Sequence, residues 1–352
     1  MKAIVHGGEP PTDLPSAGKD RPGDQIGERL GARFVDHPDP QPAPGDCVVR
    51  LKAASLNHRD LWTCRGRRAE APPVVLGSDG AGEVIAVGKG VRRPRLGDAV
   101  IVNPALNWSR GDRAPPANFE ILGHPRDGTL AELVAIPCVN LEPKPAHLDW
   151  AEAAALGLSA TTAWRALVSQ GGIVPGAVVV IPGIGGGTAL AVLQLAIAQG
   201  ARVYVTSTAP QKRARALEIG AAGAFDSMTD WAAAILDATD GAGADIVVES
   251  VGNVTWERSL KVLARGGRLV VYGSTSGDRV ETDLVPLFLG WRSILGTTLG
   301  HRGEFQAMLR FVQRRAIAPV IDRRFPLSEG TAAFAYLASG RQFGKIVLTM
   351  DN

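Results

Sequence analysis

The sequence predicts an α/β protein in which a region of short strands precedes a doubly wound parallel sheet. Three observations carry this. A buried strand, a glycine turn and a buried helix follow one another between Ala177 and Ala201. From Trp150 onward, apolar runs of strand length alternate with segments of helix length. Before Trp150 there are only short strand-like runs broken by glycine and proline. Strands separated by helices pair in parallel, whereas many short strands with tight turns build a small barrel.

In chain order, residues 2–5 predict a short strand, and the Gly-, Pro-, Asp- and Ser-rich stretch from Gly7 to Gly27 predicts a loop. A strand resumes at Arg33–Val35, and Pro38, Pro40, Pro42 and Pro44 then interrupt the chain. Asp46–Ala53 alternates polar with apolar residues, as a half-buried strand does, and Gly82–Val87 and Ala99–Val102 are further strands. Beyond Trp150, helices are expected at Ala151–Leu158 and Thr162–Val168. Strands are expected at Ala177–Ile181, Arg202–Thr206, Asp245–Glu249, Arg268–Tyr272 and Ile294–Thr297. The helices between them are Ala189–Gln199, Gln211–Ile219, Trp231–Ala238 and Trp256–Leu263. A helix at Glu304–Arg314, a strand at Pro319–Phe325, a helix N-capped by Ser328 and a strand at Lys345–Leu348 complete the chain.

Composition narrows the function. With 352 residues the chain is long enough for about two domains with full cores. The formal net charge of +3 is mild, and the richest basic patch, Arg65-Gly66-Arg67-Arg68, is short, which argues against nucleic-acid binding. The three cysteines, Cys47, Cys64 and Cys138, form no close cluster and suit a reducing compartment. The start is too short and polar for a signal peptide, and no apolar segment approaches a membrane span, so a cytoplasmic protein is expected.

The glycine turn carries the first chemical expectation. Gly183, Gly185, Gly186 and Gly187 sit between Val178-Val179-Val180-Ile181 and the apolar helix that begins near Thr188. This build points helix N-terminal amides at a phosphate and predicts a dinucleotide site. Its register departs from a strict G-x-G-x-x-G: read from Ile184, Gly186 is the second glycine and Ala189 stands third. An NAD site of this type carries an acidic residue about twenty positions past the turn. Here Val205–Arg213 has none and offers Ser207, Lys212 and Arg213 instead, which suits a 2′-phosphate and favours NADPH over NADH. The same two cations also suit an exposed helix face.

Several segments, taken together and in order, resemble the medium-chain dehydrogenase/reductase superfamily. They are Ser55-Leu56-Asn57-His58-Arg59-Asp60, Gly77-Ser78-Asp79-Gly80-Ala81-Gly82, Gly97-Asp98, Gly128-Thr129-Leu130-Ala131-Glu132, Thr162-Ala163-Trp164, Gly183–Gly187 and Gly344-Lys345-Ile346-Val347-Leu348. The resemblance implies a GroES-like β-barrel catalytic domain over residues 1–158, completed by 299–352, and a Rossmann domain over 159–298 with the cofactor in the cleft between them. It also implies cofactor contacts from His58, Thr162, Gly273, Ser274, Thr298 and Lys345, beside Thr188 and the glycine turn. Zinc alcohol dehydrogenases of this superfamily carry a cysteine where this chain has Asn57, a histidine at Ser78 and a third ligand at Leu158. Asn, Ser and Leu do not form a zinc site, and Pro104–Arg126 has no cysteine for a structural zinc, so no metal is expected. The residues Trp108, Arg110, Arg113, Phe119 and His124 in that stretch suggest a loop at the pocket mouth.

The Asn-x-x-Asp pattern at Asn57 and Asp60 looks like that of zinc-free quinone oxidoreductases and enoyl reductases. Asn57 is a candidate donor to a carbonyl or to the cofactor, or a buried structural amide, and Asp60 a residue that orients its neighbours. Arg59 stands where zinc enzymes keep a hydroxyl relay and cannot relay protons at neutral pH. The expected function is an NADPH-dependent oxidoreductase without catalytic zinc that passes hydride to a quinone or an α,β-unsaturated carbonyl. An alcohol dehydrogenase with a divergent or absent zinc site is one alternative. A non-catalytic NADP(H)-binding sensor is another. Relatives pair through the edge strand of the Rossmann sheet, so a homodimer through Ile294–Thr298 is expected by analogy.

Overall fold

The computed structural model describes residues 1–7, 30–66, 71–109 and 114–350. Most of the predicted Gly7–Gly27 loop, together with Arg67, Arg68, Arg110 and Arg113, lies outside the described residues. The chain divides into two compact units, Met1–Leu158 with His301–Asn352, and Ser159–Gly300.

In the first unit the chain runs through β1 (Lys2–His6), β2 (Ala32–Asp36), β3 (Asp46–Ser55), helix α1 (His58–Gly66), β4 (Val74–Val75), β5 (Asp79–Val87), β6 (Ala99–Val102), β7 (Ala105–Leu106), β8 (Glu120–Ile121), β9 (Leu133–Pro137) and β10 (Leu141–Pro143). Helices α2 (Trp150–Ala154) and α3 (Gly157–Trp164) follow. The ten-residue β3 is the hub of the main sheet. It pairs antiparallel with β5 along one edge, while β9 takes the first half of its other edge from Asp46 to Arg50. Gly82 makes the β3–β5 approach possible, because a Cβ there would stand 2.1 Å from the Arg50 carbonyl oxygen. The core beneath includes Val49, Leu51, Leu76, Leu130, Ile136 and Phe334, all essentially inaccessible to water. Burial pushes the thiols of Cys47 and Cys64 up to about 11 and about 12, so both stay protonated at neutral pH.

The second unit continues into a π-helical turn (Arg165–Gln170) and then alternates strictly. Its elements are β11 (Val178–Ile181), α4 (Gly187–Ala198), β12 (Arg202–Ser207), α5 (Pro210–Ile219), β13 (Gly223–Asp226), α6 (Trp231–Ala238), β14 (Ala244–Glu249), α7 (Asn253–Lys261), β15 (Leu263–Val271), α8 (Leu284–Leu289) and β16 (Ser293–Gly296). All pairings are parallel, in the order β13-β12-β11-β14-β15-β16. The expected doubly wound sheet is therefore present, and its strand order reverses between β11 and β14, the switch point beside which such sheets bind ligands. Trp231, Ile235, Val180, Val247 and Leu269 fill one layer of its core.

The chain then returns to the first unit through α9 (Arg302–Arg315), β17 (Ile321–Pro326), α10 (Gly330–Ala338) and β18 (Lys345–Thr349). Strand β18 takes the second half of β3, pairing Val347 with Ser55 and Thr349 with Ala53. The tail thus completes the sheet built on β3, whereas β1 pairs with β2 and β4 in a separate three-stranded sheet.

Several details differ from the sequence expectation, among them the short strands β4 and β7 to β10, which it did not contain. The helix expected from Ala151 to Leu158 breaks after Ala154 and restarts at Gly157. Ser328 lies in a 3-10 turn, Leu327–Glu329, and α10 starts after Glu329 without a side-chain cap. Strand β13, GAFD, is short, half-buried and at the sheet edge, so it carries no buried apolar run to reveal it. Helices α1 and α8 were also not expected: α1 buries only Asp60, Leu61 and Cys64, and α8, apolar along its whole length, buries none of its residues.

Candidate active site

Strand β3 ends at Ser55 and hands the chain to α1 through Leu56 and Asn57, while β5 begins at Asp79 directly opposite Ser55. The tail strand β18 opens with Lys345. These three strand ends bring Asn57, Asp79 and Lys345 into one buried cluster. Lys345 Nζ donates to Asn57 Oδ1 at 2.7 Å and to Asp79 Oδ2 at 3.0 Å. The Asn57 side-chain amide donates to the same Asp79 oxygen at 2.8 Å. The Ser55 hydroxyl lies 3.2 Å from it and 2.9 Å from the Ala154 carbonyl. The other Asp79 oxygen accepts the Leu158 backbone N–H at 2.6 Å and so caps the first turn of α3.

Two glycines make room for this cluster. A Cβ at Gly157 would stand 2.3 Å from Asp79 Oδ1. Gly344, just before Lys345, has φ +134°, and a Cβ there would lie 2.6 Å from the Val320 carbonyl oxygen. The ion pair itself is sealed from water, with Lys345 4% and Asp79 0% exposed at the side chain. Removing one partner of such a pair leaves a bare buried charge and typically costs about 3–5 kcal/mol.

A second set of contacts surrounds Ser78. The Arg59 guanidinium donates through Nη1 to Ser78 Oγ at 3.0 Å and to the Leu122 carbonyl at 3.1 Å. The Ser78 hydroxyl donates to the same carbonyl at 2.7 Å. Burial lowers the affinity of Arg59 for its proton, partly offset by Asp60 and Asp79, yet a guanidinium of this kind stays charged. His58 opens α1, with its ring edge-on to Trp62 at 5.7 Å. Burial of the imidazole, then the Arg65 charge, holds its pKa below the ordinary 6.5, so it is neutral at pH 7.

These partners bear on metal binding through their chemistry. A zinc ion needs thiolate, imidazole or carboxylate ligands with an open fourth position. Asn57 is instead bonded to an ammonium and Ser78 to a guanidinium, so cations of the protein already serve the two matching positions. Among the described residues no three His, Cys, Asp or Glu are grouped to hold a metal. The donor set does not fit zinc.

In the second unit, β11 runs into Gly183 (φ +73°) and Gly185 (φ +139°), both in backbone regions that favour glycine. Gly183 N–H donates to Thr206 Oγ1 at 3.2 Å and Ile184 N–H to the Thr206 carbonyl at 2.8 Å, which ties the turn to β12. Gly186 is the N-cap of α4 and brings no side chain to its first turn, and a Cβ there would meet nothing within 4 Å. The helix thus begins without a side-chain cap on its first-turn amides, the arrangement a phosphate cradle uses. Ala189 packs inward, 3% exposed. Lys212 lies over the turn, since a Cβ at Gly185 would fall 3.1 Å from its Nζ. Ser207 is buried at the end of β12 and accepts the Ala209 N–H.

Arg213 is placed differently from Lys212. Its Nη1 donates to the Ser207 carbonyl at 2.7 Å and pairs with Asp226 at 3.1 Å. Asp226 ends the unanticipated strand β13, so the sequence reading missed it. Glu249 was missed as well: it is fully buried, takes the Val251 and Gly252 N–H groups on one oxygen, and takes Thr255 and Ser259 hydroxyls on the other. It thereby fixes the start of α7 at the switch-point side of the sheet. Gly273 and Ser274 follow β15 and are half-buried, Thr298 is exposed beyond β16, and Thr162 is buried in α3. Trp108 and Phe119 of the expected mouth loop stack edge-on at 5.1 Å.

Two family models match the chain, the alcohol dehydrogenase GroES-like domain over residues 43–146 and the zinc-binding dehydrogenase domain over 187–314. A zinc-type alcohol dehydrogenase-like protein of Schizosaccharomyces pombe is 34% identical over 319 residues, 88% of this chain and 92% of its own length. A quinone oxidoreductase of Pseudomonas aeruginosa is 31% identical, with 90% and 94% of the two chains covered. Among solved structures, an NAD-dependent alcohol dehydrogenase superposes with a TM-score of 0.87 at 35% identity, covering 100% of both chains. A 2-octenoyl-CoA carboxylase reductase in complex with NADP and 2-octenoyl-CoA superposes with 0.86 at 27% identity, covering 99% of this chain and 87% of that one.

Asp60 gives the site a pH signature. It is buried in α1 and accepts the Asn57 backbone N–H at 2.8 Å. Burial pushes its pKa from 3.8 up to about 6, with Arg59 and the Asn57 N–H opposing and Asp79 reinforcing the rise. Between those two values the folded protein holds a proton that the unfolded chain has released. Stability from this group is therefore full below about pH 4 and is lost as pH rises through about 6. Urea unfolding of the wild type and Asp60→Asn at pH 4 to 7 checks this. The stability difference, wild type minus variant, is expected to fall by roughly 1–3 kcal/mol across the range. A flat difference contradicts the assignment.

Proposed function

Since the chain belongs to the medium-chain dehydrogenase/reductase superfamily of NAD(P)H-dependent oxidoreductases, we propose that it is an NADPH-dependent reductase acting without catalytic zinc on a quinone or an α,β-unsaturated carbonyl. The observation that carries this reading is the fate of the two ligand positions. Asn57 is held by Lys345 and Asp79, and Ser78 by Arg59, so neither is available as a metal donor. The similarity to the Pseudomonas aeruginosa quinone oxidoreductase and to the 2-octenoyl-CoA carboxylase reductase supports the acceptor class.

The glycine turn would hold the pyrophosphate of the dinucleotide, with Gly183, Gly185, Gly186 and Gly187 giving backbone approach and Thr188 standing in the first helical turn. Bound there, NADPH supplies the hydride. Lys212, over the turn, is assigned to the 2′-phosphate together with Ser207. Arg213 joins them only by sharing the charge it gives to Asp226. We assign Gly273, Ser274 and Thr298 to the nicotinamide side, and Thr162 and neutral His58 to further hydrogen bonds with the cofactor. Asn57 presents its amide to the acceptor or the cofactor, and Lys345, Asp79 and Asp60 hold it in place. Without a metal, charge on the acceptor oxygen must be met by hydrogen-bond donors.

The test uses purified protein with NADPH or NADH against benzoquinone and crotonaldehyde. NADPH oxidation with at least one of these is expected, with NADH used poorly. Lys212→Ala is expected to raise KM for NADPH roughly tenfold while leaving KM for NADH unchanged. A wild type that prefers NADH, or that consumes NADPH with no acceptor of either class, contradicts the proposal.

We further propose a cytoplasmic homodimer through the β16 edge of the parallel sheet. Among the described residues strand β16 pairs with β15 alone, and next to it α8 and the following turn leave large apolar side chains in water. Leu284, Phe288 and Leu289 are more than half exposed, and Trp291 is 83% exposed. Such a patch on a monomer is unusual and marks an interface. No helix among the described residues is long and apolar enough to cross a membrane. Light scattering on the eluting protein is expected to give a dimer mass, and Phe288→Glu a monomer that still binds NADPH. A monomeric wild type rules the dimer out.

A further inference from the structure

Arg59 has a face that the site described above does not use. A guanidinium carries five N–H groups, two of them on Nη1. Both Nη1 hydrogens are directed to Ser78 Oγ and the Leu122 carbonyl. The opposite edge, Nε with Nη2, offers three more. Among the described residues no acceptor is bonded to that edge and no carboxylate pairs with Arg59. The side chain lines a cavity of about 320 Å³, together with Trp62, Thr63, Gly66 and His124. None of these walls is acidic. Trp62 gives an aromatic face, and Thr63 and His124 give polar groups that can hydrogen-bond.

We propose that this cavity is an anion subsite in which the Nε–Nη2 edge of Arg59 grips a planar carboxylate, with the apolar body of the ligand against Trp62. The chemistry selects a carboxylate for a geometric reason. The two parallel N–H vectors on one edge of a guanidinium match the two oxygens of a planar carboxylate, and such forked pairs are among the strongest hydrogen bonds in proteins. The Nη1 contacts fix the plane of the fork before any ligand arrives, so little side-chain entropy is lost on binding. That the carboxylate belongs to the reducible acceptor rests on the reductase reading above. That it binds here does not.

Calorimetric titration of the full-length protein, without coenzyme, tests this with benzoate and its neutral isostere benzamide. Benzoate is expected to bind more tightly than benzamide. Arg59→Gln is expected to weaken benzoate roughly tenfold or more and to leave benzamide unchanged. Arg59 also ties Ser78 to Leu122, so Arg59→Gln is paired with Arg59→Lys, which keeps the charge and loses the fork. The lysine variant is expected to bind benzoate several-fold more weakly than wild type, with its melting temperature recorded alongside. Equal binding of benzoate and benzamide by the wild type overturns the proposal, as does undiminished benzoate binding by the lysine variant. Reductase activity on neutral acceptors with no benzoate binding removes the subsite alone. Benzoate binding that depends on Arg59, with no reductase activity, leaves the subsite standing and removes the reductase reading.

Discussion

A buried lysine and a buried aspartate, 266 residues apart in the sequence, form the interaction on which the first unit depends. Neither charge can face the core alone, so their pairing dictates where three strand ends meet. It brings β18 alongside β3, and it leaves the second Asp79 oxygen to cap α3. It also sets Asn57, whose amide bridges the two charges. The small residues around the cluster follow from the same demand. Gly157 and Gly344 stand where any side chain would collide with Asp79 or with the Val320 carbonyl.

The same constraint shapes the chemistry. In a metal site, a cation gathers anionic and neutral donors. Here the protein's own cations take that part: an ammonium beside Asn57 and a guanidinium beside Ser78. Under the proposed reading, the donors held at this cluster would take the part a Lewis acid plays elsewhere. The glycine turn of the second unit is built on different physics. It presents helix amides and leaves open space beside Gly186, with a lysine across the turn.

Much of this was legible in the sequence because it rests on local pattern. The run Val178–Ile181, the glycines after it and the apolar helix behind them announce their own elements, and the alternation that follows fixes a parallel sheet. The absence of ligand chemistry at Asn57 and Ser78 was equally plain from side-chain identity. What could not be read was partnership across distance. Lys345 is a conspicuous charge in an apolar strand, and Asp79 a carboxylate in a glycine-rich run, yet nothing local joins them. Nothing local to Arg213 announces its pairing with Asp226 across β13. Helix α1 was invisible for a related reason: its buried face carries Asp60, so its polarity hides its burial.

The central proposal is that Lys345 and Arg59, rather than a metal, organise the reaction site. Elemental analysis of the purified protein, read together with turnover before and after exhaustive dialysis against a chelator, tests it most directly. The account predicts far less than one zinc per chain and turnover untouched by the chelator. Stoichiometric zinc, with turnover lost on dialysis and restored by zinc alone, would contradict it.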